Sequence, residues 1–164
     1  MIVRALVILL AIVATGIPAR AQNPSPIVGT WRLVSWEREI VETKAVSQSF
    51  GGNAMGLMTL TPDGRASVIV VDAKRKPPAQ PTATDAEAVG LYQTMLAYAG
   101  TYRVQGNEII LHSEISWNQD LSQVDQKRFF KIEGNRLTLT TTPLVNAFLN
   151  NQTTVTTVVY ERVK

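Results

Sequence analysis

The sequence predicts an all-β domain, an eight-stranded antiparallel up-and-down barrel with one inserted helix, and three observations carry that expectation. First, hairpin signals recur at "TPDGR" (61 to 65), "VQGNE" (104 to 108) and "IEGNR" (132 to 136). Glycine, asparagine and aspartate tolerate the positive φ that tight hairpins demand, so Asp-Gly and Gly-Asn between strand-like flanks mark reversals of the chain. Second, reading outward from these turns gives strands near 28–41, 55–61, 65–72, 99–105, 108–117, 124–133, 136–142 and 153–163, in meander order. Third, a single segment breaks the pattern. "TDAEAVGLYQTMLAYA", 84–99, opens on Thr84 with Glu87 three residues on, a capping box, and carries Ala88, Leu91, Tyr92, Met95 and Ala99 at helical spacing, a stripe suited to packing on a sheet. The prolines at 77, 78 and 81 keep the preceding strand from running into it. Closing eight sequential strands removes the exposed edges of an open sheet, and a barrel of that size has room for side chains and one small ligand.

Residues 1–21 read as a secretory signal peptide. "MIVR" gives a positive start, "ALVILLAIVATGI" an apolar run too short to span a bilayer, and "ARA" a small-x-small cleavage site. The barrel domain is then 22–164, and the expected location is periplasmic or secreted, with no stable membrane anchor once the leader is removed. The chain has no cysteine, so neither lipid attachment through a thiol nor disulfides are expected. With Arg4 and Arg20 removed, 14 basic residues face 13 acidic ones, and the formal charge falls from +3 to +1. The sequence has no stripe of basic residues interleaved with aromatics, and "KRKPP" (74 to 78) reads as a solvated loop, so a nucleic-acid partner is not expected.

"GTW" at 29 to 31 opens the first strand, and "YERVK" closes the last. This arrangement resembles the lipocalin and wider calycin pattern, in which the tryptophan of a G-x-W closes one end of the barrel and a basic residue of the last strand packs across its ring. The resemblance implies that Gly29, Trp31 and Arg162 form that closure. Further along, "GGNAMGLMTLTPDGRASVIV" (51 to 70), "YAGTYRV" (98 to 104), "LHSEISW" (111 to 117) and "QKRFFKIEGNRLTLTT" (126 to 141) follow one another. The order is similar to that of the bacterial and fungal lipocalin-like domain proteins and spans nearly all of 22–164, so the chain looks like an exported bacterial member. Gly100, Thr101, Tyr102, His112, Glu114, Arg128, Phe129 and Gly134 fall on that family's pattern. Leu111 stands where many relatives have a second histidine, so activities needing two are not implied.

His112 is the only histidine, and strand alternation puts it on one face with Ile110, Glu114 and Ser116. A carboxylate two residues away could orient the imidazole as a general base, which makes His112 and Glu114 the catalytic candidates. Arg128 shares a face with apolar Phe130 and Ile132 and needs a partner, either Glu114 or a ligand's carboxylate. Simple hydrophobic alternation turns Ile109, Leu111, Ile115 and Trp117 inward and leaves His112 in water. Against it, "ASVIVV" (66 to 71) is apolar on both faces, as if the helix covered part of the barrel's outside. The favoured expectation therefore places His112 and Glu114 in the lumen near Arg128, among Met58, Leu60, Val68, Val70, Phe130, Leu137 and Leu139. A surface histidine with a screened ion pair is the alternative.

One histidine and no cysteine make a metal site unexpected, and no cofactor motif is present: "GGNAMG" (51 to 56) lacks the lysine and helix start of a phosphate loop. The leading functional expectation is an exported protein binding one small apolar or amphipathic molecule, with Tyr102, His112, Glu114, Arg128, Phe130, Met58 and Leu60 as ligand-binding candidates. Two alternatives remain. One is a barrel isomerase or cyclase moving a proton through His112 and Glu114; the other is a structural or interaction barrel filled by its own side chains.

Overall fold

The computed structural model describes residues 25–146 and 150–164; the expected leader, 1–21, lies outside them. Eight long strands follow one another antiparallel: β1 (Gly29–Ile40), β3 (Ala54–Leu60), β4 (Arg65–Asp72), β5 (Met95–Gln105), β6 (Glu108–Ser116), β7 (Val124–Glu133), β8 (Arg136–Thr140) and β10 (Gln152–Arg162). Two three-residue strands, β2 (Val46–Gln48) and β9 (Leu144–Asn146), extend β1 and β10 at one rim. β1 pairs with β3 through its first half and with β10 along its length, from Trp31↔Arg162 to Ile40↔Thr154. That second pairing closes the sheet, and the fold is the expected antiparallel barrel with one helix. The hairpins turn at the three signals read from the sequence.

The helix is shorter than its pattern suggested. α1 spans Asp85–Gln93, and the capping box between Thr84 and Glu87 is present in both directions. Past Thr94 the chain is strand: Met95 pairs with Val71, Ala97 with Ile69 and Ala99 with Ser67. The apolar run from Met95 to Ala99 fits both periods, and the β4 edge that would otherwise lack a partner decides for the strand. None of the helix's residues is buried. Tyr92 touches Trp117, with ring centroids 6.1 Å apart, and its carbonyl accepts the Trp117 Nε1 hydrogen bond at 3.2 Å. The outer face of the sheet is thus not covered by α1. Ile69, Ala97, Ala99 and Ile115 line a shallow outer groove, with Ile115 68% exposed.

Two β-bulges set which side chains face inward. Leu33 pairs with Tyr160 but Ser35 with Val159, so Val34 is the extra residue in β1. Ala99 pairs with Ile115 but Gly100 with Ser113, so Glu114 is the extra residue in β6. Each bulge shifts the alternation by one. In β1, Trp31 and Leu33 face the core before the bulge and Trp36 and Arg38 after it. In β6, Ile109, Leu111 and Ser113 are buried, whereas Ile115 and Trp117 lie on the outer groove.

One end of the barrel is plugged by the chain's own entry and exit. Trp31 is fully buried and donates from Nε1 to the Ile27 carbonyl at 2.8 Å. The Arg162 guanidinium carbon lies 4.1 Å from the Trp31 ring centroid, and its two terminal nitrogens donate to the Val28 carbonyl at 2.7 Å and to the Pro26 carbonyl. Gly29 adopts φ +139°, and a Cβ there would sit 2.5 Å from Arg162 Nη1. Glycine is required both for the backbone conformation and for the approach of the guanidinium.

Trp31→Ala is expected to cost about 3–5 kcal/mol, as for other large aromatic truncations in cores. Arg162→Met should cost about 2 kcal/mol through the lost cation–π contact and charge-assisted hydrogen bonds. Gly29→Ala should also destabilise, although it adds one methyl group. Urea unfolding followed by circular dichroism measures all three; a Gly29→Ala protein as stable as the parent would contradict the account of this clamp.

Candidate functional site

The barrel's other half is hollow. A cavity of about 440 Å³ is lined by apolar side chains from six strands, among them Met58, Val68, Val70, Leu111, Leu139 and Val158, with Leu121, Leu144 and Val145 from the loops and short strand near the rim. The polar groups on its wall are Arg38, Tyr98, Gln126, Arg128, Thr141, Thr154, Thr156 and Tyr160, with Trp36 presenting an indole. Trp36 is held edge-on by Phe50, centroids 5.9 Å apart, from the turn at Ser49–Gly52.

Arg128 enters the lumen as its face-sharing with Phe130 implied. Its guanidinium donates to the Gln126 side-chain oxygen at 3.2 Å and to the Lys127 carbonyl at 2.9 Å. Burial raises the pKa of the Tyr98 and Tyr160 hydroxyls, and the positive charge of Arg128 acts on both in the opposite direction. Arg38, past the first bulge, is half-buried, and burial lowers its pKa. Among the described residues neither arginine has a carboxylate within salt-bridge distance, and no carboxylate lines the cavity. Three nitrogens of the lining side chains, Trp36 Nε1, Arg38 Nε and Gln126 Nε2, are buried beneath the cavity surface without a hydrogen-bond partner.

The other expected site residues fall elsewhere. Met58 lines the cavity, whereas Leu60, Tyr102 and Phe130 pack into the core without reaching it. Tyr102 donates to the Thr61 carbonyl at 2.8 Å, and burial raises the pKa of its hydroxyl. Placement of His112 and Glu114 in the lumen is corrected: both side chains lie on the outer face. His112 Nδ1 is 2.8 Å from Asp125 Oδ1, and the Glu114 carboxylate takes both Arg65 terminal nitrogens at 2.9 Å. Glu114 is therefore not the partner of Arg128. The expectation relied on a helix covering the outer face, and α1 does not do so; hydrophobic alternation holds for Ile109 and Leu111, and the bulge at Glu114 then turns Ile115 and Trp117 out. The proton-transfer pair drawn from the sequence is two separate surface contacts, a hydrogen bond between His112 and Asp125 and an ion pair between Glu114 and Arg65.

Arg38, Trp36 and Gln126 were missed. Gln126 was legible, being on the Arg128 face, but Trp36 and Arg38 have the wrong parity relative to Trp31, and nothing in "WRLVSWER" marks Val34 as a bulge.

The surface cluster has its own consequence. Asp125 is held below the ordinary carboxylate range by its hydrogen bond from His112 first and by Arg103, at 3.1 Å, second. A carboxylate whose pKa folding depresses contributes stability that is complete above its unfolded-state pKa, about 3.9, and is lost as pH falls through the lower folded value. Asp125→Asn should therefore melt below the parent near neutrality, and the gap should close as pH falls below about 4. Melting curves from pH 7 to 2.5 provide the check; a gap constant across that range would show that the charge contributes nothing.

Comparison with known proteins adds a family. A solved structure, a lipoprotein YedD from Klebsiella pneumoniae subsp. pneumoniae MGH 78578, is similar over 87% of this chain and 75% of its own, at 13% identity and a TM-score of 0.38. No curated protein matches. The family model described as lipocalin-like domain matches residues 28–163, which is the whole barrel from the strand of the G-x-W to the end of β10. With Trp31 and Arg162 forming the closure that pattern implies, the chain belongs to the lipocalin-like domain family.

Proposed function

We propose that this protein is exported and binds one small, largely apolar or amphipathic molecule in the barrel lumen. The observation that carries the reading is the cavity itself: about 440 Å³, walled by Met, Val and Leu side chains together with polar groups that include Arg38 and Arg128. That volume lies within the few hundred to about 1,000 Å³ of ordinary ligand sites, and a mix of apolar wall with polar anchors is their usual composition. A barrel serving only as a structural element would fill this space with its own side chains, as the Trp31 half does. Export is supported by the leader-like pattern of residues 1–21. Catalysis through His112 and Glu114 has no support from their positions, since both side chains are paired outside the lumen.

Expression of the full sequence in a bacterial host, followed by native mass spectrometry of the purified protein against a denatured control, tests both parts. A co-purifying small molecule at near one equivalent, on a chain shortened by about the length of a signal peptide, is the expected result. An empty protein that a panel of apolar compounds neither stabilises nor binds would refute the binding reading. Val70→Trp, which fills the lumen, should abolish ligand retention while leaving the circular dichroism spectrum unchanged.

A further inference from the structure

The cavity's polar wall is unbalanced in sign, and this constrains the head group of its occupant. Arg38 pairs with Thr156 across β1 and β10. The Thr156 N–H donates to Thr141 Oγ1 at 2.9 Å, and the Thr141 N–H donates to the Thr156 carbonyl at 3.0 Å. Arg128 lies two residues before Phe130, which pairs with Leu139, and Thr141 lies two residues after Leu139. Arg38, Thr156, Thr141 and Arg128 therefore form one row at one height of the barrel, across four neighbouring strands, with a guanidinium at each end and hydroxyls between. All four line the cavity.

The Gln126 oxygen accepts from Arg128. The nearby acids are engaged elsewhere, Glu114 with Arg65 and Asp125 with His112 and Arg103. Residues 1–24 and 147–149 contain no Asp or Glu and add no counter-charge. A wall with two guanidinium groups, hydroxyls able to donate, and no carboxylate is complementary to a group that is anionic and accepts hydrogen bonds.

We propose that the occupant is an amphiphile with an oxyanion head, a carboxylate or a phosphate monoester, held between Arg38 and Arg128 with the Thr141 and Thr156 side chains in the row between them. Its apolar body lies against Met58, Val68, Val70 and Leu111. The proposal rests on the ligand-binding reading and adds the charge and chemistry of the head. A neutral head would leave two partly desolvated guanidinium groups without counter-charge, and a cationic head would add a third positive charge.

The test is a series of probes sharing one tail: dodecanoate, dodecyl phosphate, 1-dodecanol and dodecyltrimethylammonium, titrated below micelle formation and followed by calorimetry and tryptophan fluorescence. At least one of the two anions should bind about tenfold or more tighter than the alcohol, as a charge-assisted contact replacing a neutral one would give, and the two anions distinguish carboxylate from phosphate. Arg38→Gln and Arg128→Gln should each remove most of that preference, read as the ratio of anion to alcohol affinity, and His112→Ala should leave that ratio as it is in the parent. Equal binding of anions and alcohol, or tighter binding of the ammonium compound, overturns the head-group assignment and leaves the binding reading standing. Failure of every probe, together with an empty purified protein, overturns both. The unmodified protein alone decides between these outcomes if either arginine variant does not fold.

Discussion

The contact on which the barrel depends is the Arg162 guanidinium over the Trp31 indole. Eight antiparallel strands leave two edges unless the first and last meet, and the first residues of β1 meet the last of β10 at this pair. Its strength lies in combination. The indole is removed from water and keeps its hydrogen bond to Ile27, while the guanidinium stacks on the ring and satisfies the entering chain's carbonyls at Val28 and Pro26. Gly29 makes room for it. One end of the barrel is thereby dry and filled, and empty volume can exist only at the other.

That division organises what the protein can do. Below the middle of the barrel, Leu60, Tyr102, Ile132 and Leu137 interlock with Trp31; above it, the same strands carry Arg38, Gln126, Arg128 and a set of threonines around an open space. Leaving three buried donors without partners opposes folding, and in an ordinary core such positions would be apolar. Local rules are broken where a site is built, and the surrounding barrel bears the cost.

The outer charges follow a different logic. Arg65 with Glu114 and Arg103 with Asp125 each reach across one intervening strand, and His112 bonds Asp125 on the strand beside it, all at half-exposed positions, where such contacts contribute little to stability. They do settle the electrostatics of the lumen indirectly. By occupying the acids of β6 and β7 on the outside, they leave the arginines of β1 and β7 without a counter-charge within.

Local and periodic signals in the sequence determined the barrel class, the strand order, the three hairpins, the helix start at Thr84 and the residues of the closure, because each depends on turn chemistry, alternation or a short motif. The inward face of Arg128 with Gln126 was equally legible, since β7 alternates without interruption. What only the tertiary structure decided were the helix end, where a free edge of β4 drew Met95–Tyr98 into the sheet ahead of the expected strand, and the facing of β1 and β6. A bulge is one residue more on one strand than on its partner, a property of the pairing and not of either segment. The sequence around Val34 and Glu114 therefore could not reveal that Arg38 and Trp36 turn into the lumen while His112 and Glu114 stay outside.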